Sequence, residues 1–263
     1  MIIYPEIDPV LFQIGPLKLY WYGTMYLIGF LIAWWLGSRR ARAETAVITP
    51  EQMSDVIFYG VLGVIVGGRI GYVVFYGLPT FLDAPLNIFK IWQGGMSFHG
   101  GLIGVLIAAW LYARKIKRGF FEVTDFIAPL VPLALGAGRI GNFINGELWG
   151  RPTDLPWGMV FPHVDHIVRH PSQLYQAALE GLVLFIILWL FSKRPRPTMA
   201  VSGLFLIGYG TIRFFAEFLR TPDLHLGFVA FEWMTMGQLL TLPMPVAGII
   251  LMGLAYSRSL KKN

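Results

Sequence analysis

The chain has 263 residues, 56% of them hydrophobic and only 14% charged, with a mean hydropathy of +0.60. A soluble domain carries about 25% charged residues, so this composition excludes an ordinary soluble fold and requires an integral membrane protein. The net charge of +6 comes from 21 Lys and Arg against 15 Asp and Glu, and the lack of any cysteine excludes disulfides, thiolate metal sites and a cysteine nucleophile in the chain itself.

The opening residues, MIIYPEIDPVLFQIGP, have no basic n-region and no small-residue cleavage site, so no removed signal peptide is expected. Residues 1–18 mix Pro with apolar side chains and predict an arm lying along the outer surface. Apolar spans of roughly 20 residues follow at 19–38, 54–77, 98–113, 124–147, 173–192, 199–220 and 237–256, with 78–97 as a second arm and 148–172 as an outer loop. The expectation is a single all-α polytopic membrane domain, residues 1–263, with about seven transmembrane helices. Thirteen of the 21 Lys and Arg fall in four clusters, Arg39/Arg40/Arg42, Arg114/Lys115/Lys117/Arg118, Lys193/Arg194/Arg196 and Arg258/Lys261/Lys262. Each cluster follows an apolar run, which is the positive-inside pattern rather than a nucleic-acid patch. It puts the N-terminus outside and the C-terminus in the cytoplasm. Trp92, Trp149, Trp157 and Trp233 then sit at the outer interface.

The second and fourth spans align without gaps at a spacing of 70 residues, SDVIFYGVLGVIVGGRIGYVVFYG against TDFIAPLVPLALGAGRIGNFINGE. Chance similarity of two apolar helices and an internal duplication both account for this. Each segment opens on a Ser/Thr–Asp pair suited to capping a helix, and each carries an arginine, Arg69 or Arg139, at the same offset. With Arg213 in the sixth span, three cations lie 7–8 residues, about 11–12 Å, from the outer helix ends. A charge at membrane depth costs at least ~2.5–3.5 kcal/mol, so such residues face a partner, a water cavity or a substrate. The pattern predicts a cationic cavity open to the outer leaflet.

Within the fourth span, Arg139, Asn142 and Asn145 follow at i, i+3 and i+6, close to one helical stripe able to hold an oxygen-rich anion such as phosphate. In the sixth, Tyr209, Arg213 and Glu217 repeat at i, i+4 and i+8, with Arg220 one turn further out. Either Glu217 merely neutralises Arg213, or the cation is shared with a substrate. His99 stands in GGMSFHGG, where flanking glycines allow close approach and imidazole suits proton transfer near neutral pH. Gly63, Gly67 and Gly71, with Gly100 and Gly104, form small-xxx-small series that predict close helix packing. His163, Asp165, His166 and His170 are too loosely spaced for a convincing metal site, and a solvated loop is expected there. Residue chemistry alone leaves an enzyme and a transporter or flippase of anionic lipids or small phosphates both open.

The segment GRIGNFINGELWG at 138–150 resembles the signature of the bacterial prolipoprotein diacylglyceryl transferases. The likeness extends through PEIDPVLFQIGPLKLYWYGTMYLIGF at 5–30, GGRIGYVVFY at 67–76, GGMSFHGGLIG at 94–104, RHPSQLYQ at 169–176 and SGLFLIGYGTIRFFAEFLRTPD at 202–223. The resemblance implies transfer of the diacylglyceryl group of phosphatidylglycerol to the lipobox cysteine of a preprolipoprotein, forming a thioether and releasing glycerol phosphate. It implies a multi-pass protein of the bacterial inner membrane with its site in the outer, periplasmic half. The family's important positions correspond to Tyr22, His99, Arg139, Asn142, Asn145, Glu147, Gly150, Tyr209, Arg213, Glu217 and Arg220. Of these, His99, Arg139, Arg213 and Tyr22 are the expected catalytic groups, and the remainder, together with Arg139 and Arg213, are expected to hold phosphatidylglycerol. Nothing in the sequence requires a metal or an organic cofactor.

Overall fold

The structure is a computed structural model that describes residues 2–15, 17–90, 94–222 and 227–260. Trp92, Lys261 and Lys262, used above for topology, lie outside the described residues. The chain is mostly helical and divides into two compact units, residues 36–126 and the remainder. By length and composition, four helices are fit to cross a membrane, Pro50–Phe75, Ser172–Phe191, Ala200–Leu219 and Met236–Leu260. A fifth joins them if Phe120–Ile127 and Val131–Ile144 are one broken span. Helices Trp21–Arg40 and Phe98–Lys115 occupy the other two expected positions and are long enough, but they are less apolar than those four.

In the 36–126 unit, α1 (Pro50–Phe75) begins at Thr49, whose hydroxyl accepts from the Gln52 backbone N–H while the Gln52 side chain accepts from the Thr49 N–H. This capping box corrects the expectation that Ser54 and Asp55 start the helix: they lie inside it, and Asp55 instead accepts from the Tyr112 hydroxyl at 3.2 Å. Thr124 and Asp125 likewise lie within a helix rather than ahead of one. The next long helix, α2 (Phe98–Lys115), is capped by Ser97. The expected glycine packing is present. A Cβ on Gly63 would lie 2.7 Å from the Gly104 carbonyl oxygen, and one on Gly71 would lie 2.7 Å from the Gly100 Cα. The two backbones touch, which only small residues permit.

Arg69 is the clearest departure in this unit. Its guanidinium donates to the carbonyls of Ile88 at 2.9 Å, Gly94 at 2.6 Å and Gly95 at 3.0 Å, and to that of Asn87. It fastens the chain at Asn87–Ile88 and at Gly94–Gly95 to α1. Four neutral acceptors solvate the half-buried guanidinium, which relieves the cost that had suggested a cavity.

In the second unit, strands replace what had been read as irregular arms. Val10–Ile14 and Leu17–Tyr20 form an antiparallel hairpin turning through Gly15, whose φ is +54°. Two short β-branched or aromatic runs split by Gly-Pro carry that signal, and the all-α expectation overlooked it. Ile2–Ile3 pairs in parallel with Met159–Val160, which pairs antiparallel with Val168–Arg169, and Phe228–Ala230 pairs with Met234–Thr235. The expected single span 124–147 is broken at Ala128–Leu130, with Pro129 in the gap and Pro132 in the first turn of α3 (Val131–Ile144). A proline disfavours helical backbone in the preceding residue and removes a donor. Further along, α4 (Ser172–Phe191) includes a π-helical stretch at Ala177–Val183. It approaches α3 so closely that a Cβ on Gly136 would lie 3.0 Å from the Gly181 Cα. The sixth span is α5 (Ala200–Ala216) with a 3-10 turn, Glu217–Leu219. Gly203 of α5 faces the last helix, α6 (Pro243–Leu260), where its Cβ would meet Met252 Cγ at 2.8 Å.

Replacing Gly71 by Val should force α1 and α2 apart and destabilise the unit by about 1–3 kcal/mol, the usual cost of overpacking. Gly60→Ala, where a Cβ would meet nothing within 4 Å, should leave the thermal unfolding midpoint in detergent unchanged. Equal midpoints for Gly71→Val and Gly60→Ala would remove the close contact from this description.

Candidate functional site

The 2–35 and 127–260 unit buries its charges in pairs. Arg139, just past the middle of α3, donates through Nε to Glu180 Oε2 at 3.1 Å, and Glu180 is fully buried. Arg213 Nη1 lies 2.6 Å from Glu217 Oε2, one turn along the same chain segment. Glu217 also receives Arg220 Nη1 at 3.2 Å and the Thr235 hydroxyl at 3.1 Å on Oε1. Gly237 is held against this carboxylate, for a Cβ there would lie 2.9 Å from Glu217 Oε1. Tyr209 lies near Arg139, Glu180 and Arg213. Three guanidiniums, Arg139, Arg213 and Arg220, thus lie against two buried carboxylates, Glu180 and Glu217.

The asparagines sit differently from the expected open stripe. Asn142 is buried on α3, and Asn145 is the residue on which the helix ends. The chain then turns through Gly146, φ +66°, and Leu148, φ +60°, which carries Glu147 back beneath the helix end. Glu147 Oε1 accepts from Asn142 Nδ2 at 2.8 Å and from Asn145 Nδ2 at 3.4 Å. Both amide donors therefore already hold an internal anion. Tyr22 packs on this corner. Its hydroxyl is 3.2 Å from that of Tyr26, Asn142 is its neighbour, and a Cβ on Gly141 would lie 3.1 Å from its ring. Tyr4 secures the same helix end by donating to the carbonyls of Phe143 and Ile144, both at 2.8 Å, which satisfies two acceptors that a helix terminus leaves open.

Gly150 joins the outer loop to the end of the sixth span. It bridges Arg220, its N–H donates to the His170 carbonyl at 2.9 Å, and its own carbonyl accepts from the Thr221 hydroxyl at 2.9 Å. Any Cβ there would lie 2.5 Å from His170 Cβ and 2.7 Å from the Leu219 carbonyl oxygen, so no side chain fits. Arg151 reinforces the join, Nε to the Arg220 carbonyl at 3.0 Å. The loop histidines and aspartate have other occupations than a metal. His163 Nε2 is 2.7 Å from the Gly146 carbonyl, Asp165 pairs with Arg169 at 2.6 Å, and His170 Nδ1 is 3.3 Å from the Tyr175 hydroxyl.

His99 belongs to the other compact unit. It is the second residue of α2, exposed, with its ring edge-on to Phe98 at 5.7 Å. The remaining expected residues, Tyr22, Arg139, Asn142, Asn145, Glu147, Gly150, Tyr209, Arg213, Glu217 and Arg220, share one unit. Sequence reasoning missed Glu180, although a lone carboxylate in a span otherwise free of charge was signal enough. Gln173 and Gln176, buried on the same helix, were missed with it.

Asp165 and Arg169 lie in the 148–172 loop, where the Arg169 hydrogen bond holds the Asp165 carboxyl below its ordinary value. A depressed carboxyl adds stability above its unfolded pKa, about 3.9, and that contribution is lost as pH falls through the folded value. Asp165→Asn should therefore lower the unfolding temperature at about pH 7, and the gap from wild type should close in strong acid. A gap that is independent of pH would show that the ion pair is not its cause.

A family model described as prolipoprotein diacylglyceryl transferase matches residues 9–254. A protein of Azotobacter vinelandii named phosphatidylglycerol–prolipoprotein diacylglyceryl transferase is 60% identical over 259 residues, spanning 98% of this chain and 98% of its own length. Proteins of the same name from Oleidesulfovibrio alaskensis and Methylococcus capsulatus are 61% identical over 255 residues and 59% over 259. They cover 97% and 98% of this chain, and 96% and 99% of their own lengths. With the match running through both compact units, this chain belongs to the prolipoprotein diacylglyceryl transferase family.

Proposed function

We infer that this protein transfers the diacylglyceryl group of phosphatidylglycerol to the cysteine thiol of a prolipoprotein lipobox, the first step of lipoprotein maturation. The cysteine sulfur attacks the terminal diacylglyceryl carbon, the bond from that carbon to a phosphate oxygen breaks, and glycerol phosphate leaves. The product is a thioether, and the thiol proton passes to a base. The nucleophile is the substrate's own, which suits a chain without cysteine.

The observation that carries this reading is the gathering of three guanidiniums, Arg139, Arg213 and Arg220, around two buried carboxylates, Glu180 and Glu217. A phosphodiester brings one negative charge, and that charge grows on the phosphate as the bond breaks. Guanidiniums placed there stabilise the transition state more than the ground state. The planar fork matches phosphate oxygens in a way an ammonium does not. Glu147 holds Asn142 and Asn145 in fixed orientation beside Tyr22 and the helix end that carries Arg139. Gly150 fixes Arg220 by tying the outer loop to it. His99 is the base for the thiol. It is exposed, imidazole titrates near neutrality, and the substrate cysteine has an unperturbed pKa of only ~8.5.

All seven helical segments cross the bilayer, with the N-terminus outside and the four basic clusters in the cytoplasm. The hairpin at 10–20 and the 78–90 segment lie in the outer interface. Their exposed apolar side chains, among them Phe12, Ile14, Leu17, Leu82, Leu86 and Phe89, favour that position. A flippase reading has no observation of its own, and family membership favours the transferase.

Arg139→Ala should abolish or severely reduce transfer to a lipobox peptide in purified protein, and Arg139→Lys should recover little of it. Full activity in Arg139→Ala would remove the phosphate clamp. His99→Gln should reduce transfer by about 10²–10⁴-fold, with partial recovery at about pH 9 as the thiol ionises unaided. A deficit equal at about pH 7 and pH 9 would take the base role from His99. A reporter active only in the cytoplasm should work when fused after Arg118 or Arg196 and be silent within 154–168. The inverse pattern would overturn the topology.

A further inference from the structure

The helix α4 carries a row of buried polar groups of which only Glu180, through one oxygen, enters the charged set above. Gln173, Gln176 and Glu180 are 0%, 1% and 0% exposed. Part of each row member's capacity is accounted for at the two ends: Gln173 Nε2 donates to the Glu147 carbonyl at 2.6 Å, and Glu180 Oε2 accepts from Arg139. Left over are Gln173 Oε1, Gln176 Nε2 and Glu180 Oε1, each buried and each without a hydrogen-bond partner among the described residues. A buried polar atom left unmet is destabilising, and more so where the group is charged. Three of them along two turns of one helix call for a ligand of matching chemistry.

Local structure supports the same reading. Glu180 lies in the π-helical stretch Ala177–Val183, a register found mostly as short insertions at functional positions. Next to it, Gly181 meets Gly136 so closely that a Cβ on Gly181 would be 2.8 Å from the Gly136 Cα. That contact presses α4 onto α3 and brings Glu180 against Arg139. A carboxylate oxygen accepts only, so Glu180 Oε1 requires a donor, whereas Gln176 Nε2 requires an acceptor. A hydroxyl supplies both. Because Arg139 already neutralises Glu180, the free oxygen offers a hydrogen bond rather than an unmet charge. It also lies on the carboxylate that shares Arg139 with the phosphate, where the group esterified to that phosphate must sit.

We propose that Glu180 and Gln176 select the hydroxylated headgroup of the donor lipid, Glu180 Oε1 accepting from a headgroup hydroxyl and Gln176 Nε2 donating to one. This rests on the transferase reading above. The lipid recognised is an anionic phosphodiester with a polyol headgroup; an anionic lipid of the same charge without hydroxyls leaves both groups stranded.

The test compares phosphatidylglycerol with phosphatidylpropanol, equal in charge and acyl chains but lacking the headgroup hydroxyls. Two readouts serve, transfer to a lipobox peptide and lipid-induced thermal stabilisation of the purified protein, which needs no turnover. Wild type should favour phosphatidylglycerol by at least about 100-fold in kcat/KM, because a site built to bond a hydroxyl discriminates strongly against its absence. Glu180→Gln should shrink that ratio at least about tenfold, and Gln176→Met, which leaves the Arg139–Glu180 pair in place, should shrink it too. Equal use of both lipids by wild type would overturn the proposal. So would variants that slow both lipids by one common factor, the result expected if Glu180 only positions Arg139. Headgroup-dependent stabilisation without any transfer by wild type would sink the transferase reading and leave headgroup selection standing.

Discussion

Two carboxylates buried in span-forming helices, Glu180 and Glu217, impose the condition that the rest of the larger unit meets. An ionised carboxyl in a medium of low dielectric is tolerated only when a cation and hydrogen bonds replace its lost hydration. Arg139 serves Glu180, while Arg213, Arg220 and Thr235 serve Glu217. Such pairs are a poor source of stability, since apolar residues of like volume often do as well. Their retention in a membrane protein points to chemistry, and a cluster of three guanidiniums, Arg139, Arg213 and Arg220, suits an anionic phosphodiester.

Much of the remaining architecture delivers these groups to one another. Gly136 and Gly181 let α3 and α4 touch, so that Arg139 reaches a carboxylate on the neighbouring helix. Gly150, with no room for a Cβ, lets the outer loop lie against Leu219 and Arg220. The turn at Gly146 carries Glu147 back to the two asparagines, and Tyr4 closes the exposed helix end above them. Because the glycine contacts bring backbone against backbone, the charges are positioned by elements with little freedom to move. Preorganisation of this kind is what electrostatic stabilisation of a transition state needs.

The helices were legible because hydropathy over about 20 residues reports the bilayer directly, and the Arg213–Glu217 pair because i and i+4 share a helix face. The glycine series gave the α1–α2 contact for the same local reason. Other features depended on distant partners. Glu180 lies 41 residues from Arg139, and no periodicity within either helix announces the pair. Arg69 looked like a twin of Arg139 because both stand in Gly-Arg-Ile-Gly, yet backbone carbonyls of a later segment surround it. The π-helical stretch has no proline or glycine pair to mark it, and the 10–20 hairpin was hidden because its apolar residues fitted a surface arm equally well. Glu147 was expected beside substrate; its position under the helix end required the left-handed turn at Gly146.

The most direct test of the charge argument is a comparison of Glu217→Gln with Arg213→Met/Glu217→Gln, measuring unfolding temperature and peptide lipidation on the same preparations. Glu217→Gln alone removes the carboxylate that Arg213 and Arg220 share and should be strongly destabilised, by about 3–5 kcal/mol for a broken buried pair. The double variant removes one of those cations and keeps an acceptor for Arg220 and Thr235. It should regain most of the lost stability while remaining inactive. A double variant that lipidates peptide at the wild-type rate would contradict the account, for it would show that Arg213 is present only to neutralise Glu217.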